Sequence, residues 1–124
     1  MRGLLAEHLT DFIFTINQLI AQAKEQGIVP TPDMARAKLS ALDAYVSHSP
    51  TIDFVEDKVL TTDTCKVPVR IYSPSPDQAL PVLIYFHGGG HMCGDINLYD
   101  PMCRKMAKAA HCIVISVEYR LAPE

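Results

Sequence analysis

Two continuous apolar runs near the end of the chain restrict its fold more than any other feature. PVLIYF spans residues 81–86 and CIVISV spans residues 112–117, and neither run alternates apolar with polar residues. A strand has this pattern when both of its faces are covered, as in a parallel sheet. Between the runs, Pro101 follows Asp100, which predicts a helix capped by Asp100. Strand, helix and strand in this order predict a right-handed βαβ unit.

The first part of the chain favours helices. Apolar side chains recur at steps of three and four over residues 5–23, which predicts an amphipathic helix that ends before the glycine and proline that follow. A second helix is predicted from Thr31 to Val46, with Thr31 as its cap and a proline in its first turn. The periodicity then changes, so we expect a helical segment over 1–50 and a strand-rich core over 51–124.

A hairpin is predicted at the start of the strand-rich core. Residues 52–60 and 66–72 contain β-branched and aromatic side chains in short runs, separated by the turn-like segment TTDT. Pro68 has no amide hydrogen, so the second strand either has an unpaired position there or lies at an edge of the sheet.

Composition and charge exclude several classes of protein. The net charge of −3 gives no electrostatic footprint for nucleic acid, which requires a basic stripe or cluster. The four cysteines have neither CxxC spacing nor the density of a disulfide scaffold, so reduced thiols are expected. No apolar run approaches the roughly 18 residues of a membrane span, and acidic residues interrupt the N-terminal segment before a signal peptide could form. The four cysteines mentioned above are Cys65, Cys93, Cys103 and Cys112. From all of these features we expect a cytoplasmic protein with no membrane span and no nucleic-acid partner.

Three consecutive glycines, residues 88–90, follow the first apolar run. In an α/β sheet the functional crevice lies beyond the carboxyl ends of the parallel strands, where this segment is expected. Glycines leave backbone N–H groups uncovered, so several of them can converge on one oxygen that becomes an anion. The segment lacks the GxGxxG and GK[ST] patterns of phosphate-binding loops. A glycine-rich turn without chemistry stays open as an alternative at this point.

His87 and His91 also suggest a metal site, because residues four apart lie on the same face of a helix. The three glycines between them disfavour a helix, so a zinc site that adds His111 or Cys93 is not favoured. A Cys93 thiolate nucleophile would need a base, and nothing in the sequence places one beside it. We expect no metal site.

Four segments resemble a known family. HGGG at 87–90 resembles the oxyanion motif of the hormone-sensitive-lipase family of α/β-hydrolases. VEYRLAPE at 117–124 resembles that family's VDYRLAPE signature, and YDPMCRKMA at 99–107 is similar to its HDPLCRRLA-type helix. VPVRIYSP at 67–74 is similar to the family's second strand. The chain is thereby identified as the N-terminal part of a member of this family.

The resemblance implies the N-terminal portion of an α/β-hydrolase fold, with a mixed, mostly parallel sheet preceded by two cap-like helices. It implies a serine carboxylesterase or lipase that hydrolyses acyl esters without a cofactor. Backbone N–H groups of Gly88, Gly89 and Gly90 would then form the oxyanion hole, and the ring of His87 would support this loop. His91 stands where the family often has an aromatic or apolar residue near the acyl pocket.

Glu118 replaces the aspartate that is usual in the family's signature. It keeps the carboxylate but lengthens its reach. We expect a structural partner for it, either Arg120 or the glycine loop, and not a catalytic role.

The catalytic triad implied by the resemblance is not recognisable in these residues. The family's mechanism needs a serine in a GxSxG elbow, a histidine and an acid, and the sequence contains no GxSxG. The serine after the glycines, Ser116, lies inside a predicted buried strand. We therefore expect the sequence to stop before the family's nucleophile strand, and the 124-residue polypeptide alone to have no esterase turnover.

A missing nucleophile strand would leave residues 81–86 as an open, apolar edge of the sheet. Such an edge favours self-association or pairing with a complementary chain. Three hypotheses follow: a fragment of a full carboxylesterase, one half of a split enzyme, or a truncated, non-catalytic remnant that acts as an oligomeric or interaction protein. In the first two, an acyl ester is bound once the other half completes the site.

Overall fold

The centre of the structure is a sheet of four strands, Phe54–Thr61 (β1), Lys66–Ser73 (β2), Val82–Phe86 (β3) and Ile113–Val117 (β4). The computed structural model describes residues 5–46 and 49–124. The strands lie in the order β1-β2-β4-β3. β3 pairs with β4 in parallel, whereas β1 with β2 and β2 with β4 are antiparallel. The predicted mixed α/β sheet is confirmed, although one of these three pairs, and not most of them, is parallel.

The described residues also form three α-helices: Thr10–Glu25 (α1), Pro32–Ser40 (α2) and Asp100–Ala110 (α3). Short 3-10 helices occupy Glu7–Leu9 and Ala41–Tyr45. Both helices predicted for the first part of the chain are thus present. None of the helices in the described ranges is long and apolar enough to cross a membrane.

The chain separates into two compact units, Met1–Thr31 and Pro32–Glu124. α1 belongs to the first unit and has no buried residue. It ends with two hydrogen bonds of a Schellman motif, in which Ile28 N–H donates to Ala23 O and Gly27 N–H donates to Lys24 O. α2 belongs to the unit that holds the sheet, so the division lies before α2. The interpretation of residues 1–50 as one cap-like segment stays a prediction.

The predicted hairpin is confirmed, with β1 and β2 in register from Phe54 opposite Ser73 to Thr61 opposite Lys66. The edge position considered for Pro68 is wrong, because β2 lies between β1 and β4. Pro68 instead lies one residue before the pairing of β2 with β4 begins at Val69. The ladder between β2 and β4 therefore does not require the amide hydrogen that Pro68 lacks.

The βαβ unit of β3, α3 and β4 forms the hydrophobic core together with β2. The face of α3 that carries Cys103 and Ala107 is buried against Tyr72 of β2 and Val114 of β4. Each of these four side chains has no more than traces of exposed surface. α3 is thereby packed on β2 and β4, and Tyr85 of β3 packs against the same cluster.

β3 is less covered than its apolar sequence predicts. Val82, Ile84 and Phe86 alternate along the strand and are 57, 60 and 63% exposed. β3 is the last strand in the sheet order, and no described strand pairs with its outer edge. The structure therefore presents an apolar strand at one edge of the sheet.

The sequence predicts Asp100 as the cap of α3, but the helix begins at Asp100 itself and Tyr99 occupies the cap position. The carboxylate of Asp100 is used elsewhere. It accepts hydrogen bonds from Tyr72 Oη at 3.0 Å, Arg104 Nε at 2.6 Å and Ser49 Oγ at 3.0 Å. Burial alone would raise the pKa of Asp100, but these hydrogen bonds outweigh it and lower the pKa. The carboxylate thus ties the start of α3 to the sheet.

Asp100→Asn should lower the free energy of unfolding at neutral pH by about 1–3 kcal/mol, because buried donors lose a charged acceptor. The folded-state pKa lies below the unfolded value of about 3.9. The contribution is therefore present above the unfolded pKa and is lost as the pH falls through the folded one. Urea unfolding at a series of pH values measures both effects. The exposed Asp77→Asn is the matched control, and equal losses in the two variants would contradict the assignment.

Candidate active site

The glycine segment begins where β3 ends. His87 directly follows Phe86, the last residue of β3, and the parallel register places Phe86 beside Val117, the last residue of β4. The glycine loop and the segment after β4 therefore leave the sheet at the same edge. In α/β proteins, ligands bind beyond the carboxyl ends of parallel strands, which is this edge.

Gly89 and Gly90 have positive φ angles of 128° and 63°, which side chains disfavour. A Cβ atom on Gly89 would lie 1.9 Å from the carbonyl oxygen of Cys93, so no side chain fits there. A Cβ atom on Gly90 would have no heavy atom within 4 Å. Gly89 is thus required by a close approach of two backbone segments, whereas Gly90 borders open space.

Two hydrogen bonds close the glycine loop on the carbonyl oxygen of Gly89. The N–H groups of Met92 and Cys93 donate to it at 3.2 and 3.0 Å. No described residue accepts a hydrogen bond from the N–H of Gly89 or Gly90. The loop therefore holds these two amides in place, while their N–H groups donate no hydrogen bond to a described residue.

His87 is buried beneath the loop between two aromatic rings. Its ring stacks on those of Tyr119 and Tyr99, with centroids 4.4 and 5.5 Å away. Nδ1 lies 2.9 Å from the carbonyl oxygen of Gly88, and because a carbonyl only accepts, Nδ1 carries the proton in this contact. Tyr119 Oη donates to the carbonyl oxygen of His87 at 2.7 Å, and burial raises the pKa of this hydroxyl. These contacts favour the supporting role predicted for His87.

Glu118 contacts the segment that follows the glycine loop. Its Oε2 accepts a hydrogen bond from Ile96 N–H at 2.8 Å, and its Oε1 lies 4.0 Å from Nε2 of His87. Nε2 is buried and has no hydrogen-bond partner among the described residues. Of the two partners expected for Glu118, the structure therefore favours the loop side over Arg120.

A small pocket of about 250 Å³ lies beside the glycine loop, lined by Phe86, His87, His91 and Tyr119. The ring of His91 meets that of Tyr119 edge-on, with centroids 6.2 Å apart. Pockets that hold drug-sized ligands have roughly 300–1,000 Å³, so this one suits a smaller group. His91 lies at the wall where the resemblance places an acyl pocket.

The residues considered for a metal site or an alternative nucleophile do not form such a site. His111 follows α3 and precedes β4, at the opposite end of the strand from Val117. In the described part of the chain, no three His, Cys, Asp or Glu side chains form a group that could hold a metal ion. Ser116 has no exposed surface, and Cys93 is 6% exposed.

Arg36 is the residue at this edge that sequence reasoning missed. It lies on α2, and its guanidinium group reaches the carbonyl oxygens of Met92 and Ala122 and the carboxylate of Glu124. These partners are 56 to 88 residues away in the sequence. No local pattern could have indicated contacts at such separations.

Comparison with known proteins identifies the family of the chain. A family profile described as an alpha/beta hydrolase fold matches residues 83–124. Carboxylesterase NlhH of Mycobacterium tuberculosis is 40% identical over 93 residues, which cover 74% of this chain and 29% of that protein. Carboxylic ester hydrolase LipN of the same species is 44% identical over 115 residues, which cover 93% of this chain and 29% of that protein. The chain thus spans about 29% of the length of both relatives.

Solved structures show the same fold. An ester hydrolase from the metagenome of Lake Arreo superposes with a TM-score of 0.76 at 28% identity, covering 97% of this chain and 39% of that one. An esterase of Pyrobaculum calidifontis gives a TM-score of 0.67 at 31% identity, covering 76% of this chain and 31% of that one. This chain therefore has the fold of a part of these larger hydrolases.

Gly89→Ala should destabilise the fold by at least about 2 kcal/mol more than Gly90→Ala. Both variants strain a positive φ at a cost of about 1–2 kcal/mol, but only the Gly89 methyl group collides with a backbone oxygen and breaks hydrogen bonds. Gly27→Ala, at a φ of 67° in open space, is the control for strain alone. Urea unfolding compares the three variants, and equal costs at positions 89 and 90 would contradict this view of the loop.

Proposed function

Because this chain belongs to the α/β hydrolases, we propose that it supplies the oxyanion hole of a serine carboxylesterase or lipase of the hormone-sensitive-lipase type. The observation that carries the proposal is the pair of amides at Gly89 and Gly90. They lie at the carboxyl end of β3, are held by a closed loop, and have no acceptor among the described residues. The small pocket of Phe86, His87, His91 and Tyr119 lies beside them.

The chemistry of ester hydrolysis explains why such amides are needed. When a nucleophile attacks the ester carbonyl carbon, its oxygen becomes an anion. The N–H groups of Gly89 and Gly90, with Gly88 as a further donor, bind that oxygen more strongly in the transition state than in the ester. Because the donors are already oriented, little energy is spent in reorganising them. Losing one such donor typically slows the reaction about 10²–10³-fold.

The nucleophile in this proposal comes from outside the 124 residues. The sequence contains no GxSxG, and Ser116 is fully buried within β4. The serine, histidine and acid are therefore supplied by a longer polypeptide that includes this segment or by a second chain. The acyl ester is the substrate of the completed site, with no cofactor.

His91 is proposed to line the acyl side of that site. Its ring and those of Phe86 and Tyr119 enclose about 250 Å³, which suits a short acyl group. An imidazole in this wall makes the pocket more polar than an aromatic or aliphatic residue would.

Free thiols at all four cysteines are compatible with the cytoplasmic location that we propose.

A chimera tests the oxyanion role directly. Residues 1–124 are joined to the carboxyl-terminal part of carboxylesterase NlhH that this chain does not match, and hydrolysis of p-nitrophenyl acetate is measured. Gly90→Ala keeps the N–H donor, but its methyl group enters the open space beside the donors, so it should lower kcat/KM by obstructing the bound ester. Gly27→Ala has a similar φ and no neighbours, and serves as the matched control.

Equal activity of the two variants would contradict the proposal, provided that circular dichroism shows both to be folded. The 124-residue chain alone is the second control. It should not be labelled by a fluorophosphonate probe under conditions that label the chimera. Clear labelling of the chain alone would show that it holds its own nucleophile.

A second candidate function is that of a non-catalytic, oligomeric or interaction protein. The observation that favours it is the edge strand β3, on which Val82, Ile84 and Phe86 are more than half exposed. β1, at the other edge, carries Glu56, Asp57 and Lys58 in succession. Charges blunt an edge strand against pairing with other chains, and β3 has none.

Ile84→Lys should shift the 124-residue chain toward the monomer, because a charge on β3 opposes pairing of apolar edges. Val59→Lys in β1 is the matched control, since Val59 is 57% exposed and Ile84 is 60% exposed. Sedimentation velocity over a concentration series measures the change. A stable monomer in the unsubstituted chain would contradict the second candidate.

A further inference from the structure

Arg36 makes four hydrogen bonds to two segments at the carboxyl edge of the sheet. Its Nε donates to the carbonyl oxygen of Met92 at 2.9 Å, and a terminal nitrogen donates to that of Ala122 at 3.0 Å. Both terminal nitrogens bind the carboxylate of Glu124, at 2.8 and 2.7 Å. The side chain is 29% exposed. One guanidinium group therefore joins α2 to the glycine loop and to the segment after β4.

A series of peptide groups leads from Arg36 to Gly90. The carbonyl of Met92 and the N–H of Cys93 belong to one peptide group, and that N–H donates to Gly89 O at 3.0 Å. The carbonyl of Gly89 in turn shares a peptide group with the N–H of Gly90. In a planar trans peptide the C=O and N–H point in opposite directions, so holding the carbonyl of Gly89 fixes the direction of the Gly90 N–H.

A second connection holds the neighbouring carbonyl. Ala122 N–H donates to the carbonyl oxygen of His91 at 2.8 Å, while the carbonyl of Ala122 accepts from Arg36. The carbonyls of both His91 and Met92 are thereby held, one by the segment after β4 and one by α2. Hydrogen bonds in such a chain polarise and strengthen one another.

We propose that Arg36 is a positioning residue that sets the direction of the Gly90 N–H through Met92, Cys93 and Gly89. This proposal rests on the proposed oxyanion role of the loop and adds to it a control by α2. An arginine is needed because its planar fork reaches a carbonyl, a second carbonyl and a carboxylate at once. The single ammonium group of a lysine keeps the charge but cannot reach all three.

The test follows the loop itself and needs no ester. In isotope-labelled 124-residue chain, amide hydrogen exchange is measured by NMR for Met92 and Cys93, whose N–H groups bind Gly89. Ile113 and Glu118 report on the sheet, since their N–H groups bind Pro81 and Pro68. The residual dipolar coupling of the Gly90 N–H reports its direction. The variants, compared with the unsubstituted chain, are Arg36→Met, Arg36→Lys and Lys38→Met.

Arg36→Met and Arg36→Lys should speed exchange at positions 92 and 93 about tenfold or more and change the Gly90 coupling, with the sheet amides unchanged. Lys38→Met removes a positive charge from the same helix and should change neither quantity. Equal acceleration in loop and sheet would reduce Arg36 to a general stabilising residue and overturn the proposal. Unchanged loop amides, or the same effect in Lys38→Met, would also overturn it.

The oxyanion role has a separate readout. If Gly90→Ala did not slow the chimera, the proposed oxyanion role of the loop would be contradicted, but the exchange result would still stand. A negative result in the exchange experiment would overturn the positioning role of Arg36 but would not affect the proposed oxyanion role of the loop.

Discussion

The parallel pairing of β3 with β4 is the constraint on which the site depends. With Phe86 opposite Val117, the loops that follow the two strands begin side by side, and Tyr119 reaches back to the backbone and ring of His87. α3 packs on β4 and β2, and Tyr85 of β3 packs against the same cluster. A shift of register by one residue would turn the side chains of a strand to the opposite face and separate these contacts.

Much of this arrangement could be predicted because short-range sequence patterns determine it. The continuous apolar runs of β3 and β4 and the helix between them indicate the βαβ unit, and its geometry places the glycines at the carboxyl edge. Local rules were less reliable where a distant partner competes. Asp100 has the sequence of a helix cap, yet Tyr72 and Arg104 draw its carboxylate toward the sheet, and the helix begins one residue earlier.

Other features could not be predicted for a physical reason. The contacts of Arg36 join residues from α2 to the segment after β4, and they depend on how separately formed elements come together. His91 has a positive φ of 59°, which the identity of one histidine is too weak a signal to predict. Glu118 has the chemistry for several partners, and only the folded chain shows that Ile96 N–H is one of them.

The peptide group between Met92 and Cys93 affects how the sequence of such a site can change during evolution. It accepts from a guanidinium group on one side and donates to Gly89 on the other, and both contacts use backbone atoms alone. Any pair of amino acids other than one with proline second offers the same carbonyl and the same amide. Two chains could therefore keep this connection while differing at both positions, and a comparison of side chains would not detect it.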